Sequence, residues 1–164
     1  MTRLKNNSSI ALGVPTLCDV EFVASNLRES DRKDMEGLHP GKPAREIIVG
    51  DVEYSAFVYG LYRDGRILAL FGVIPLAPGV GTPWLVGTGE VDETPLSFAR
   101  ASHRLLSMLQ RSFPVLDTWI CSRNSKSVRW HQWCGFEFEK EKVRMGRADY
   151  FYARRTVKEF RGGK

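Results

Sequence analysis

D-T-W-I-C-S-R-N-S-K-S-V-R-W-H-Q-W-C-G-F-E-F, from Asp117 to Phe138, reads as a strand, a short helix, a turn and a second strand. Thr118, Trp119 and Ile120 form a β-prone run. Asn124 or Ser125 offers a short polar side chain that can accept an orphan backbone N–H at a helix start. Gly135 stands where a helix ends in the left-handed conformation, which glycine adopts at least cost. Phe136 and Phe138 then alternate with Glu137 and Glu139, the period of a strand. The stretch predicts a β–α–β unit.

The chain around it has 164 residues, a length that predicts one domain with a sizeable core. With 43% hydrophobic and 26% charged residues, the composition is that of a soluble globular protein. No apolar run reaches the ~18–20 residues of a membrane span, and the N-terminus lacks the apolar core of a signal peptide. Cytoplasm is the expected compartment. Cys18, Cys121 and Cys134 form no C-x-x-C pair and read as buried thiols. The net charge of +5 is spread over Arg3 and Lys5, Lys140 to Arg147 and the tail from Arg154. No aromatic stripe accompanies it, which argues against a nucleic-acid groove.

Outward from the opening stretch, Thr94-Pro95 predicts a capped start for a long helix that runs to Phe113 and stops at Pro114. Before it, Tyr54 to Tyr62 and Ile67 to Ile74 flank Asp64-Gly65, a strong hairpin signal. The near-continuous apolar second run predicts a central strand buried on both faces. Pro75 to Pro83 reads as a loop, and Trp84 to Val86 as a short strand. Earlier still, Thr16 to Asp19 fits a capping box and Ser30 a second helix cap. Ala44 to Glu53 fits helix or strand, with helix preferred. A basic arm is expected at residues 1–8, a last strand at Tyr150 to Ala153 and a basic tail at 157–164.

N-S-K-S-V-R-W-H-Q-W-C-G-F, Asn124 to Phe136, resembles the C-terminal motif of the GNAT acyltransferase superfamily. The element order from Tyr54 to Tyr152 is similar too. The resemblance implies an α/β fold: a central mixed, mostly antiparallel sheet flanked by helices. W-L-V-G-T-G-E-V with the stretch from Leu116 to Phe136 is also similar to GNAT-like proteins of tailed phages, including internal virion proteins of short-tailed phages.

That closer likeness implies a virion or assembly component. Its partners would be other virion or assembly proteins, in host cytoplasm during assembly or inside the virion, and it would need no cofactor. The alternative is an active N-acetyltransferase using acetyl-CoA. A third reading is an inhibitor that binds a host protein. In active members a pattern resembling Q/R-x-x-G-x-G/A holds the CoA pyrophosphate on turn and helix N–H groups. Here Gly87, Thr88, Gly89 and Thr94 occupy that place, and Trp84 stands where Gln or Arg is expected. Glu90, Asp92 and Glu93 precede the helix, and their repulsion of a pyrophosphate argues for a degraded site.

The family's tyrosine acid, seven residues after the Asn, corresponds to His131, whose imidazole suits the role at a reference pKa of ~6.5. Asn124 would orient substrate, and Glu90 or Glu53 would serve as base. Trp119, Trp130 and Trp133, with Arg123 and Arg129, form a candidate docking surface, because interfaces favour such anchors.

Overall fold

The computed structural model describes residues 9 to 157. In chain order they form β1 (Ala11–Gly13), α1 (Leu17–Ser25), α2 (Glu29–Leu38), α3 (Ala44–Tyr54), β2 (Phe57–Arg63), β3 (Arg66–Ala77) and β4 (Val80–Gly87). A 3-10 turn (Gly89–Glu93) follows, then α4 (Pro95–Leu109), β5 (Val115–Cys121), α5 (Ser125–Trp133), β6 (Glu137–Met145) and β7 (Ala148–Thr156). The basic arm expected at residues 1–8 and the tail beyond Val157 lie outside the described residues.

The strands make one sheet in the order β1-β2-β3-β4-β5-β7-β6. Every pairing is antiparallel except β4 with β5. This is the mixed, mostly antiparallel sheet flanked by helices that the family resemblance implies. β7 slots between β5 and β6, so the two strands of the opening β–α–β unit are not neighbours.

Local chemistry explains the elements that were legible. Thr16 and Asp19 exchange both bonds of a capping box at α1. Asp64 and Gly65 turn the β2–β3 hairpin with φ of 52° and 75°. Asn124 caps α5 by accepting the Ser127 N–H at 3.1 Å, and Gly135 closes that helix at φ 84°. Ala44 opens a helix, as preferred.

Packing decides the rest. β1, a three-residue edge strand paired with β2, has no counterpart in the sequence reading. The expected loop from Pro75 to Pro83 is instead strand on both sides of a turn at Gly79, φ 74°. Both prolines are tolerated because no ladder donor is lost. β2 stops pairing at Val73, short of Pro75, and Pro83 faces away from β3. α2 starts at Glu29, so Ser30 is not its cap. α4 ends at Leu109 rather than Phe113, where Gln110 turns its amide onto the carbonyls of Pro114 and Arg155. Cys18 is exposed, whereas Cys121 and Cys134 are buried.

Two cores sandwich the sheet. On one face Phe71, Leu105, Leu106, Leu116 and Ala153 pack under α4 and α5. On the other, Val23 and Ile48 of α1 and α3 cover Leu70 and Val86.

Candidate active site

β4 and β5 pair only at Val80–Val115 and Gly81–Leu116. Beyond that point each follows its outer neighbour: β4 stays on β3 to Gly87, and β5 stays on β7 to Cys121. The two strands therefore part company, leaving a wedge between their C-terminal halves. Along β4 the backbone groups alternate between β3 and the wedge. Thr88 donates its N–H to Leu68 on β3, so Gly87 and Leu85 face the wedge. Gly87 is satisfied there by α2: its N–H goes to the Asp31 carboxylate at 2.8 Å and its C=O accepts from Arg28 at 2.9 Å. Leu85 meets no such partner among the described residues, which leaves one donor and one acceptor at the strand edge.

α2 spans the mouth of the wedge. One turn after Asp31, Asp34 accepts from Asn124 Nδ2 at 2.6 Å, at the end of the β5 arm. Tyr150 donates its hydroxyl to the Asp34 carbonyl at 3.3 Å, and Arg28 pairs with Asp31 at 2.7 Å. Burial raises the pKa of both carboxyls; Arg28 opposes this at Asp31, and Asn124 opposes it at Asp34. The sequence reading gave Arg28, Asp31, Asp34 and Tyr150 no place in a site. The available signal was the three-residue spacing of Asp31 and Asp34, which puts both on one helix face.

At the start of α4 the acids are neutralised. Glu90 lies on Arg66 and Arg63, Glu93 on Arg63 at 3.3 Å and Asp92 on Arg28 at 3.4 Å. The expected repulsion of a pyrophosphate therefore loses its source, because hairpin and α2 arginines draw these side chains to themselves. Thr88 is buried with its hydroxyl on Leu68, while Gly89 is exposed. Thr94 makes no capping bond, contrary to expectation, and its Oγ1 is buried without a hydrogen-bond partner among the described residues.

His131 sits elsewhere in function. Its ring packs edge-to-face against Trp130 and Phe136, and Nδ1–H donates to the Ser127 carbonyl at 2.7 Å. Burial pushes its pKa down to about 4, so the ring is neutral near pH 7 and holds no extra proton to give. The expected acid is thus a packing residue. The proposed docking surface divides as well. Leu116 and Ile120 of β5 belong to the core under α4 and α5, as does the flank of Trp130. Trp119 alternates with them onto the opposite face, against Tyr152 at 5.1 Å. Trp130 donates to Ser102 of α4 at 3.2 Å, Trp133 stacks on His103, and Arg123 and Arg129 are exposed. The five residues therefore do not form one face. Among the described residues no group of three or more His, Cys, Asp or Glu side chains is placed to hold a metal ion.

The overall fold recurs in solved structures. The ribosomal-protein-S5-alanine acetyltransferase of Vibrio fischeri superposes with a TM-score of 0.65 at 12% identity, covering 93% of this chain and 95% of that one. This is a GNAT acetyltransferase fold. The ribosomal-protein-alanine N-acetyltransferase of Brucella melitensis matches at TM-score 0.66 and 14% identity, over 90% of this chain and 99% of that one. The spermidine N-acetyltransferase of Vibrio cholerae, in complex with CoA and spermine, matches at 0.66 and 12%, over 90% and 95%. No protein-family model matches the chain, and no curated protein matches it.

Proposed function

We propose that this chain is an N-acyltransferase that uses an acyl-coenzyme A, acetyl-CoA in the simplest case, to acylate an amine. The observation that carries the reading is the open inner edge of β4 at Leu85. A pantetheine arm bears two amides, and an extended amide chain is held by just such an edge, as an added strand would be. The orphaned Thr94 hydroxyl supports it, because a buried polar atom without a partner is costly unless a ligand satisfies it. The exposed Gly89 and the first turn of α4 offer backbone N–H groups suited to phosphate.

When bound, acetyl-CoA supplies the thioester carbonyl that the amine attacks. The chain's own residues would bind and orient it: Leu85 through its N–H and C=O, Thr94 through its hydroxyl. Asp34, anchored by Asn124 and raised by burial, is the carboxyl placed at the mouth to take the amine's proton. Glu90 is held by two arginines, and Glu53 is exposed on α3, so neither fits that role as well.

Calorimetric titration with CoA, and thiol release from acetyl-CoA with a panel of amines, test the proposal. Leu85→Pro removes a wedge-facing donor, at an edge that already carries Pro83 two residues before, together with a side chain that packs against the core under α4. We expect it to weaken CoA binding about tenfold, with circular dichroism and the thermal midpoint checking that the fold is retained. Absence of CoA binding at millimolar concentration would reject the proposal. That outcome, joined to co-purification with virion or host proteins, would favour the virion, assembly or inhibitor readings, for which the exposed Trp119 and Trp133 are candidate anchors.

A further inference from the structure

Three arginines in the described part of the chain are half-buried, and Arg155 is the one that meets no carboxylate among the described residues. Arg28 lies on Asp31 and Asp92, and Arg63 on Glu90 and Glu93. Arg155 instead donates Nε–H to the Cys134 carbonyl at 2.8 Å and Nη1–H to Gln110 Oε1. Gln110 is itself buried and fixed, since its Nε2 donates at 3.1 Å to the carbonyls of Pro114 and Arg155. The guanidinium is thus aimed by neutral acceptors and, among the described residues, keeps three of its five N–H donors. Burying a cation without a counter-charge is unfavourable, and burial lowers the Arg155 pKa accordingly.

These unused donors border an open groove of about 690 Å³ between the second half of α4, the end of α5 and the end of β7. The size is that of small-molecule sites, ~300–1,000 Å³. Among the described residues no acidic side chain lines it. Arg111, exposed and without an ion pair among the described residues, shares the groove, as do the hydroxyls of Ser107 and Thr156. Trp133 forms a wall: it touches His103 at 5.4 Å between ring centres and is still 58% exposed. An aromatic wall beside two guanidinium groups complements an anion that carries a flat ring. The groove lies at the opposite end of α4 from Thr94, about 22 Å along a 15-residue helix, so it is separate from the wedge.

We propose that this groove is a second ligand site, for a small anion bearing a planar ring, of the nucleoside monophosphate class. Its phosphate pairs with Arg155 and Arg111, and its ring rests on Trp133.

The test is calorimetric titration of the full chain with adenosine monophosphate, with amide and indole NMR shifts locating the site. Expected are shifts at Gly135 and the Trp133 indole, and losses of about tenfold or more in Arg155→Gln and in Arg111→Gln. Trp133→Ala should weaken the nucleotide and leave inorganic phosphate binding unchanged. Saturating CoA should not compete. Should Arg155→Gln fail to fold, the exposed Arg111→Gln decides. No binding at millimolar nucleotide, affinity unchanged in the arginine variants, or displacement by CoA would each overturn the proposal.

Discussion

The Asp31 carboxylate accepts the backbone N–H of Gly87 at 2.8 Å and the Arg28 guanidinium at 2.7 Å. One helical turn later, Asp34 holds Asn124 at 2.6 Å. A single helix face therefore ties down the ends of both strands that border the wedge. Asp31→Ala leaves a buried N–H and a half-buried arginine short of a partner. We expect a loss of about 3 kcal/mol by urea denaturation. Asp31→Asn, which keeps an acceptor, should lose clearly less.

Thr94→Val swaps an orphaned hydroxyl for a methyl of the same shape. It should raise stability by about 1 kcal/mol, because no described residue bonds that oxygen. If the hydroxyl serves the CoA phosphates, the same variant binds CoA more weakly. Stability and affinity moving in opposite directions is the expected pair of results.

Asp51 is pushed up to about 6 by burial, with Lys42 pulling the other way. The folded value lies above the ordinary 3.8, so the folded state binds this proton more tightly. The contribution is complete below pH ~3.9 and is lost as the pH rises through about 6. Asp51→Asn should therefore stabilise the protein at pH 8 and match the parent near pH 3. Denaturation midpoints at the two pH values measure this.

His131 has the opposite sign. Its folded pKa of about 4 lies below the ordinary 6.5, so folding favours the neutral ring. That stability is present above pH 6.5 and is lost as the pH falls through about 4. An NMR titration of the imidazole C–H should show a midpoint near 4. A midpoint near 6.5 would contradict the packing of this ring between Trp130 and Phe136.

Gly146 turns β6 into β7 at φ 59°, and a Cβ there would overlap the Gly37 carbonyl oxygen of α2. Gly146→Ala should cost about 2 kcal/mol or more, combining the left-handed backbone with the overlap. Gly135→Ala, with a similar φ of 84° but open space around it, should cost less. The difference in thermal midpoint between the two variants reads the overlap alone.

Much of the fold was legible because its signals are local. The Asp64-Gly65 turn, the Thr16–Asp19 box, the Asn124 cap and Gly135 each depend on residues a few positions apart. Their geometry follows from side-chain reach and backbone sterics. The misread elements have distant causes. Ser30 fails as a cap because α2 is positioned by the bridge from Leu27 to Thr88 and by Arg28 on Gly87. Thr94 looks like a cap by type, but its backbone angles and burial leave the hydroxyl without a partner. Glu90, Asp92 and Glu93 looked hostile to phosphate because their arginine partners stand 24 to 64 residues away in the chain.

By itself, then, the sequence determined the order and type of most elements and the β–α–β unit from Asp117 to Phe138, since hydrophobic period, caps and turns are short-range properties. Only the tertiary structure decided that β4 and β5 part after Gly81. It likewise decided that Leu85 keeps an open edge, and that Asp31 and Asp34 span the opening. Those features arise from which strand wins the hydrogen bonds of which neighbour, a competition between segments far apart in the chain.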